Sequence, residues 1–272
     1  MSRAARAFHW FRDIAQVVVL DRFNPRRRHL AEAASTACRS LNFHSRSRIR
    51  PVPLGQWLES FGAAPVPSVT LPGPSTGFGD VGSQSGYHTL GALARGLRPR
   101  TILEFGTYLG VSAYAMALNT PDDTRIFTVD LPDETQGATR AELDSLDQRH
   151  VTTSRHRVGE AFLGTPFERR ITQLRADSLV FRAETVVPDV DLVYVDGGHS
   201  RPVIAADTEN AFRVLAAAGT IIWDDYFHLY PDVVQFLDEL ADTHQMHSIA
   251  GTNYVVFSRR AGQFLPPITS TS

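Results

Sequence analysis

The hydrophobic positions along the chain follow two different patterns before and after about residue 86. Apolar residues are spread through residues 5–20 and 30–41 without internal proline, which predicts a helical N-terminal segment over residues 1–60. Residues 61–84 contain many prolines, glycines and serines, as a linker or loop does. Beyond them, short apolar runs alternate with helical patterns. This alternation predicts an α/β fold with a doubly wound, mainly parallel sheet covered by helices on both faces.

The alternating part of the chain divides into short strands and longer helices. The strands are predicted at residues 101–105, 125–129, 171–175, 191–195 and 220–223, with a closing hairpin of residues 246–249 and 254–258. The helices are predicted at residues 86–96, 111–118, 140–146, 159–167, 202–215 and 231–241. The expected organisation is therefore a helical extension with a linker over residues 1–85, the α/β domain over residues 86–262 and a flexible tail over residues 263–272.

Composition narrows the cellular setting without indicating a reaction. A single cysteine, Cys38, excludes an intramolecular disulfide, and the cytoplasm is the expected location. No run approaches the roughly 20 apolar residues of a membrane span, and no signal peptide is predicted. The net charge of -2 gives no reason to expect a nucleic-acid partner. All 27 basic residues are arginines, which excludes a lysine nucleophile or base.

Charge is distributed unevenly along the chain. Residues 1–50 hold 11 arginines against 3 acidic residues, whereas the rest of the chain is acidic overall. One interpretation is a solvated extension. The other is a basic arm that contacts the acidic body, a second subunit, an anionic substrate or a membrane surface. We favour a contact within the protein or between subunits, so a homo-oligomer formed through this segment is a hypothesis.

The first candidate for ligand binding follows the strand predicted at residues 101–105. Residues 104–110, Glu-Phe-Gly-Thr-Tyr-Leu-Gly, lead from this strand into a helix. Gly106 permits a tight turn and a close approach of ligand to backbone, and Gly110 lets the helix start pack against that turn. The N–H groups of a helix start can bind a carboxylate, such as that of a methionine moiety. The spacing differs from the Gly-x-Gly-x-x-Gly of nicotinamide enzymes.

Acidic residues also end the next two predicted strands. Asp130 comes 20 residues after Gly110, where a carboxylate can accept hydrogen bonds from both hydroxyls of a ribose. A helix cap is the alternative role for Asp130. Asp177, which precedes Ser178, could accept a hydrogen bond from an adenine amino group, and a plain N-cap fits it nearly as well.

The sharpest motif is Asp-Gly-Gly-His-Ser at residues 196–200, which ends a buried strand. Asp196 and His199 can face one pocket, although His199 could instead cap the next helix. Asp224 and Asp225 end the following strand, and adjacent carboxylates repel each other unless a cation compensates. With Asp196 they would form an oxygen-rich set suited to Mg²⁺ or a similar divalent ion. Alternatively, only one of the two faces the pocket and the other caps the segment that follows.

Together these motifs resemble the bacterial class I S-adenosylmethionine (SAM) dependent methyltransferases that include macrocin-type sugar O-methyltransferases of natural-product pathways. The resemblance covers about residues 88–258, with the motifs in the expected order, and leaves the first 85 residues unmatched. It implies a Rossmann-like, seven-stranded sheet with an antiparallel last strand. The matching stretches are Glu104-Phe105-Gly106-Thr107, Thr128-Val129-Asp130-Leu131-Pro132, residues 171–178, Asp196-Gly197-Gly198-His199-Ser200 and Trp223-Asp224-Asp225-Tyr226.

The resemblance also implies which residues act. In metal-dependent relatives, acidic residues that match Asp196, Asp224 and Asp225 hold Mg²⁺, and a histidine that matches His199 is the proposed base. Some relatives carry histidine in place of Asp224. The residues expected to contact SAM are Glu104, Gly106, Thr107, Tyr108, Gly110, Asp130, Leu131, Asp177, Ser178 and Asp196.

The resulting hypothesis is methyl transfer from SAM to a hydroxyl of a small molecule, such as a sugar or another natural product. A divalent ion would lower the pKa of the hydroxyl and orient it, and Asp196 and His199 would be the catalytic residues. His199, with a reference pKa of about 6.5, could take the proton near neutral pH. The sequence does not indicate which hydroxyl compound is the acceptor.

Three rival hypotheses remain at this point. A nicotinamide-dependent oxidoreductase could use a similar sheet, but the glycine spacing argues against it. A catalytically inactive SAM-binding protein would have no use for the acidic residues and the histidine. A metal-dependent hydrolase would leave residues 104–110 and Asp130 without a role.

Overall fold

A computed structural model describes residues 47–63, 68–72, 81–132, 156–187 and 189–260, with only the backbone given for residues 81–85. The helices predicted at residues 5–20, 30–41 and 140–146, and the tail predicted at residues 263–272, lie outside the described residues. The sheet belongs to a compact unit that holds the described residues from Ile49 to Tyr226 and from Tyr230 onward. The division of the chain predicted at residues 85 and 262 stays a prediction.

Eight strands form one sheet in the order β1-β7-β8-β6-β5-β2-β3-β4. All neighbouring strands are parallel except β8, which runs antiparallel to both β6 and β7. The α/β class, the doubly wound order and the antiparallel last strand are confirmed. The strands are β1 (Pro51–Val52), β2 (Thr101–Phe105), β3 (Arg125–Asp130), β4 (Ile171–Arg175), β5 (Val190–Val195), β6 (Leu215–Trp223), β7 (His247–Ile249) and β8 (Val255–Ser258).

The eighth strand corrects the predicted count of seven, and it places two residues of the segment predicted as helical, Pro51 and Val52, in the sheet. At β1, the carbonyls of Arg50 and Val52 accept hydrogen bonds from the N–H groups of Ser248 and Ala250, each at 3.0 Å. Pro51 lies between them and has no N–H to donate, which an edge strand tolerates. Val52 is buried. The prolines on both sides of Val52 were the signal against a helix.

Five helices are described, and two differ from the prediction. Helix α2 begins five residues before the predicted residue 86, and a short helix, α1, follows β1. The helices are α1 (Leu54–Glu59), α2 (Val81–Leu97), α3 (Val111–Leu118), α4 (Arg201–Val214) and α5 (Pro231–Leu240). No helix in the described ranges is both long and apolar enough to cross a membrane.

The helix predicted at residues 159–167 is wrong. This segment is a series of tight turns, in which Phe162 donates to the carbonyl of Gly159 and Thr165 to that of Phe162, each at 3.1 Å. Gly159 and Gly164 have φ values of +81° and +72°, which no right-handed helix contains. The chain then enters a 3₁₀ turn, Glu168–Arg170, before β4.

The central strands fix where the candidate site lies. Strand β2 pairs with β3 on one side and with β5 on the other, so Phe105 lies beside both Val129 and Val195. Val195 in turn lies beside Trp223 of β6. These four strands are parallel, and their carboxyl ends therefore meet at one edge of the sheet. The residues that follow each strand are neighbours there.

The opposite edge, at the amino ends of the strands, contains one buried cation. Arg170 is 7% exposed. Its guanidinium donates to the carbonyls of Thr124 at 3.2 Å, Ala117 at 3.1 Å and Pro121 at 2.6 Å, and to the hydroxyl of Thr120 at 2.8 Å. Ala117 lies in the last turn of α3, so the cation also complements the negative end of that helix.

Candidate cofactor site and acidic cluster

The loop after β2 is shaped by a glycine that no other residue could replace without distortion. Gly106 has a φ of +93°, and its N–H donates to the carbonyl of Val129 at 2.8 Å. A Cβ added here would lie 1.8 Å from the carbonyl oxygen of Asp196. The sequence predicts that a ligand approaches the backbone closely at Gly106. The close approach that the structure shows here is between the loops after β2 and β5.

Asp130 holds the same loop from the side of β3. Its Oδ2 accepts the N–H of Tyr108 at 2.7 Å, and its Oδ1 accepts the N–H of Leu131 at 2.8 Å. Tyr108 has a φ of +46°, which turns its N–H toward the carboxylate. Each carboxylate oxygen has a second lone pair. Asp130 can therefore accept ribose hydroxyls while it orders the loop.

The start of α3 offers backbone donors next to this loop. Gly110 precedes α3 with a φ of +79°, and no side-chain hydrogen bond caps the helix among the described residues. A Cβ on Gly110 would lie 2.5 Å from the ring of Phe162, so the turn segment at residues 159–165 packs directly against the helix start. The first N–H groups of α3 can bind an anionic carboxylate, as the sequence predicts.

Glu104 is fully buried beneath the loop. Its two oxygens accept hydrogen bonds from Ser112 at 2.5 Å and Thr128 at 2.6 Å, and the hydroxyls of Thr128 and Thr107 are 2.6 Å apart. Burial raises the pKa of Glu104 to about 7. In the structure, the hydrogen bonds of Glu104 and Thr107 support the loop. Direct contact of either residue with SAM stays a prediction.

The residues after β4 join this group through the backbone. Ala176 donates its N–H to the carbonyl of Asp130 at 2.9 Å. Asp177 Oδ1 accepts the N–H of Leu179 at 3.0 Å, while its carbonyl accepts from Val180 and Phe181. No helix begins directly after Asp177, so the N-cap interpretation is wrong, and its carboxylate instead closes a turn over residues 178–180. A contact with adenine stays a prediction.

Two adjacent aspartates after β6 point to different partners. Asp224 Oδ2 accepts the hydroxyl proton of Tyr194 at 2.6 Å, and its Oδ1 accepts the N–H of Asp225 at 2.7 Å. Asp225 has a φ of +62°, and its Oδ2 lies 2.8 Å from Nε2 of His199. The left-handed backbone at Asp225 thus separates the two carboxylates and pairs the second one with the histidine.

His199 is held on two sides. It is 8% exposed, and its ring stacks on that of Tyr230 with centroids 4.0 Å apart and planes 12° apart. Its Nε2 faces Asp225, and the residue that precedes α4 as its cap is Ser200. The alternative that His199 caps α4 is therefore wrong.

Burial and neighbouring carboxylates raise the pKa values of two members of the acidic cluster, which we define as Asp196, Asp224 and Asp225. Burial first, and then the charges of Asp224 and Asp225, raise the pKa of Asp196 well above its usual range. Burial and the charge of Asp225 raise the pKa of Asp224 to about 7. His199 opposes both shifts. That Asp196 and His199 face one pocket stays a prediction. Perturbed carboxylates of this kind concentrate at functional sites.

The predicted magnesium site does not form from these residues. Within the described ranges, no group of three or more histidine, cysteine, aspartate or glutamate side chains is arranged to hold a metal ion. Both oxygens of Asp224 accept protein hydrogen bonds, and Asp225 faces His199. The interpretation of two neighbouring aspartates as a cation site is therefore not supported, because each has a protein partner.

A set of buried polar residues on α4 belongs to none of the sequence motifs. Asp207, Thr208 and Asn210 are 1%, 3% and 2% exposed. They recur at the same spacing of three or four residues as the buried apolar residues of α4. This spacing could have identified them as buried. Asp207 lies against Gly197, since a Cβ there would be 2.4 Å from its Oδ2.

Comparison with known proteins supports a transferase domain. Residues 103–226, a little under half of the chain, match a family model described as a methyltransferase domain. The matched segment begins in β2 and ends just after Asp225, so it contains the loops described above. No curated protein sequence shows significant similarity to the chain.

Solved structures of methyltransferases are similar to the chain at low identity. A methyltransferase of Podospora anserina bound to S-adenosylhomocysteine (SAH) is 18% identical, with 88% of this chain and 97% of that chain covered and a TM-score of 0.49. An O-methyltransferase of Bacillus cereus in complex with SAH is 17% identical, with coverages of 82% and 96% and a TM-score of 0.43.

A third similar structure is an O-methyltransferase of Streptomyces achromogenes involved in tomaymycin synthesis, in complex with SAM. It is 18% identical, with 80% of this chain and 94% of that chain covered and a TM-score of 0.42. The function of this chain is therefore inferred from the matched domain and from the geometry of its strand ends.

Proposed function

We propose that this protein is a SAM-dependent O-methyltransferase that acts on a hydroxyl group of a small molecule. One observation carries the proposal. The loops after β2, β3 and β5 converge at one edge of the sheet, inside the matched methyltransferase domain, through the close approach of Gly106 to Asp196 and the bond from Tyr108 to Asp130. Ligands of doubly wound sheets bind at this edge.

The residues at the edge suit the three parts of SAM. The uncapped start of α3 suits the carboxylate of the methionine moiety. Asp130, at the tip of β3, would accept the ribose hydroxyls. Asp177 and Ser178, which follow Ala176 and its hydrogen bond to the carbonyl of Asp130, would line the adenine. When bound, SAM supplies an electrophilic methyl group on a positively charged sulfur.

His199 is the proposed general base. Its Nε2 lies 2.8 Å from a carboxylate oxygen of Asp225, which would orient the imidazole while it takes the proton of the acceptor hydroxyl. Asp225 then stabilises the imidazolium that forms, and the stacked ring of Tyr230 limits its rotation. Asp225 is thus a positioning residue in this mechanism. The hydroxyl proton would move to the imidazole of His199 while the oxygen gains the methyl group, whose bond to sulfur breaks with its electron pair left on sulfur, so that SAH is released.

Asp196 has a separate role in the proposal. Burial, followed by the charges of Asp224 and Asp225, raises the pKa of Asp196, so its carboxyl group holds a proton more readily than an ordinary aspartate and, when protonated, would donate a hydrogen bond to the acceptor oxygen. No step of this mechanism passes through a metal ion, because the acidic cluster does not fit one. A sugar or another natural product as acceptor, and a homo-oligomer formed through the N-terminal segment, stay hypotheses.

Ligand titration followed by an activity assay tests the proposal. We expect calorimetry of the purified protein to show binding of SAH and no binding of NAD⁺. Incubation with methyl-labelled SAM and a panel of sugars, phenols and aliphatic alcohols should then transfer label to oxygen of at least one compound. Absence of SAH binding, or binding of NAD⁺ in its place, would reject the proposal in favour of a nicotinamide enzyme or another function.

Variants separate the enzyme from an inactive SAM-binding protein. H199A and D196A should each lower the rate of label transfer while SAH affinity stays nearly unchanged. D191N is a matched control, because Asp191 accepts the N–H groups of Arg100 and Thr101 at the amino ends of the strands, remote from the acidic cluster. Wild-type protein that binds SAH but transfers no label to any compound would favour the inactive alternative.

A further inference from the structure

The buried hydroxyl of Tyr194 is not explained by the packing of β5. Tyr194 is fully buried, and its neighbours along the strand, Val193 and Val195, are apolar. A phenylalanine would fill nearly the same space without bringing a polar atom into the core. A buried phenol hydroxyl needs a hydrogen-bond partner, so the identity of that partner shows what the hydroxyl can do.

The partner is Asp224, which follows the neighbouring strand β6. The hydroxyl of Tyr194 donates to Oδ2 of Asp224 at 2.6 Å. The N–H of Asp224 also donates to the carbonyl of Val195 at 3.0 Å, so both its backbone and its side chain are fixed to β5. Because Oδ2 is held in this way, the carboxylate cannot rotate freely. Its Oδ1 therefore stays beside the N–H of Asp225, which it accepts at 2.7 Å.

The next link is the backbone of Asp225. Its φ of +62° is a left-handed conformation, which is costly for a residue with a Cβ and persists where the surroundings enforce it. The bond described above fixes its N–H, and the N–H of Tyr226 donates to the carbonyl of Asn253 at 3.0 Å on its other side. Oδ2 of Asp225 then lies 2.8 Å from Nε2 of His199. A series of contacts thus leads from the phenol to the proposed base.

The ring of Tyr194 is itself held firmly. The ring of Tyr254, which directly precedes β8, packs edge-on against it, with centroids 5.9 Å apart and planes 83° apart. Tyr254 is 2% exposed, and its hydroxyl lies against α2, where a Cβ added at Gly86 would be 3.1 Å from the oxygen. The phenol therefore offers its hydroxyl to Asp224 from a fixed position, as a group that orients other side chains must.

We propose that Tyr194 is a positioning residue for methyl transfer, which holds His199 in place through Asp224 and Asp225. This inference rests on the proposed function, in which His199 takes the proton of the acceptor hydroxyl. Because Tyr194 acts through the two carboxylates, loss of its hydroxyl should lower kcat and leave KM and the binding of SAH nearly unchanged. A hydroxyl that only stabilises the core would change the free energy of unfolding and leave kcat of the folded enzyme unaffected.

The test is Y194F, which removes the hydroxyl and keeps the ring. Y226F is the matched control, because Tyr226 is also fully buried and its hydroxyl donates to another carboxylate, Oδ1 of Asp238, over the same 2.6 Å. The nitrogen-15 NMR resonance of Nε2 of His199, assigned by comparison with H199A, reports the contact with Asp225 without any substrate. Y194F should move this resonance toward its position in D225N, and Y226F should leave it at its wild-type position.

Kinetics are measured with the compound that accepts label from SAM. Y194F should lower kcat about tenfold, the loss expected when one orienting hydrogen bond is removed, while KM and SAH affinity change less than about twofold. Y226F should keep the wild-type kcat. Because Tyr194 acts through Asp225, adding Y194F to D225N should lower kcat little further. If Y194F does not fold, D224A breaks the same series at its next link and should also move the Nε2 resonance of His199.

The outcomes separate this inference from the proposed function. Failure of wild-type protein to bind SAH or to transfer label would overturn both. An Nε2 resonance that Y194F or D224A leaves unchanged, or that Y226F moves equally, would overturn the role of Tyr194 and leave the proposed function standing. A moved resonance with an unchanged kcat would also overturn it, because the hydroxyl would then order the core without affecting the reaction.

Discussion

At the amino ends of the strands, the buried guanidinium of Arg170 donates to carbonyl and hydroxyl oxygens, whereas at the carboxyl ends the partly buried carboxylates of the acidic cluster lie near one another. Arg170 has partners in the end of α3 and in the segment before β3. The acidic cluster has Tyr194 and His199 as partners, yet burial and neighbouring carboxylates raise the pKa values of Asp196 and Asp224. The first arrangement stabilises the fold.

The second arrangement costs stability, because like charges share a site from which water is largely excluded. Proteins retain such arrangements where they serve binding or catalysis. At the amino ends of the strands the buried charge of Arg170 stabilises the fold, whereas at the carboxyl ends the acidic cluster serves function. Substitutions at the two ends should therefore change different measured quantities.

The largest effect is expected at His199. H199A should lower the rate of methyl transfer about 1,000-fold, within the range that a general base contributes, while SAH affinity changes less than about twofold. The rate at saturating concentrations of both substrates is the quantity to measure. D225N should lower the same rate by a smaller factor and shift its pH dependence, because the asparagine amide stabilises the imidazolium less well than the carboxylate. Equal activity of H199A and wild type would remove the base assignment.

The next effect is expected at the other end of the sheet. R170M should reduce the free energy of unfolding by about 3 kcal/mol, because several buried carbonyls lose their donor. Urea denaturation measures this change, and SAH affinity of the folded variant should be that of the wild type. A loss of affinity without a loss of stability would contradict the division between the two ends.

A smaller effect is expected from Glu104 beneath the cofactor loop. Its pKa is about 7 in the folded protein and lower in the unfolded chain, so the folded state binds the proton more tightly. The stability from this group is complete at low pH and is lost as pH rises through about 7. E104Q should therefore flatten the fall of unfolding free energy between pH 5 and pH 8, and exceed wild type at pH 8 by about 2 kcal/mol. An unchanged pH dependence would contradict the burial argument.

The smallest effect is expected from metal removal. Because the acidic cluster does not form a metal site, dialysis against a chelator should leave the rate of methyl transfer within about twofold of the untreated enzyme. Readdition of Mg²⁺ should have no effect either. A rate that collapses on chelation and returns with Mg²⁺ would show that the carboxylates rearrange around a cation when substrate is present.

Much of the fold follows from local patterns in the sequence. Strand β2 and helix α3 have the predicted bounds, because β2 is a short, mainly apolar run that ends before Gly106 and the helix begins directly after Gly110. Strand β1 was missed because two residues at a sheet edge carry no periodicity. The turns at residues 159–165 were mistaken for a helix because their glycines adopt positive φ, which the apolar spacing does not reveal.

The candidate site was predictable in position and less so in detail. Gly106, Asp130 and Asp196 lie at one edge of the sheet because β2, β3 and β5 are neighbouring parallel strands and each residue lies at the carboxyl end of one of them. The direction of a side chain was not predictable. The φ of +62° at Asp225 turns its carboxylate toward His199, and two adjacent aspartates in a sequence do not indicate this. The burial of Asp207 was not predicted because an aspartate in a helix is ordinarily assigned to the solvent-exposed face.

The most direct measurement is an experimental structure of the protein with SAH. We expect the ribose hydroxyls within hydrogen-bond distance of Asp130, the homocysteine carboxylate at the start of α3, and the sulfur on the side of Asp196 and His199. SAH bound elsewhere on the protein, or bound with its sulfur directed away from His199, would contradict the conclusion that the carboxyl ends of these strands form a methyl-transfer site.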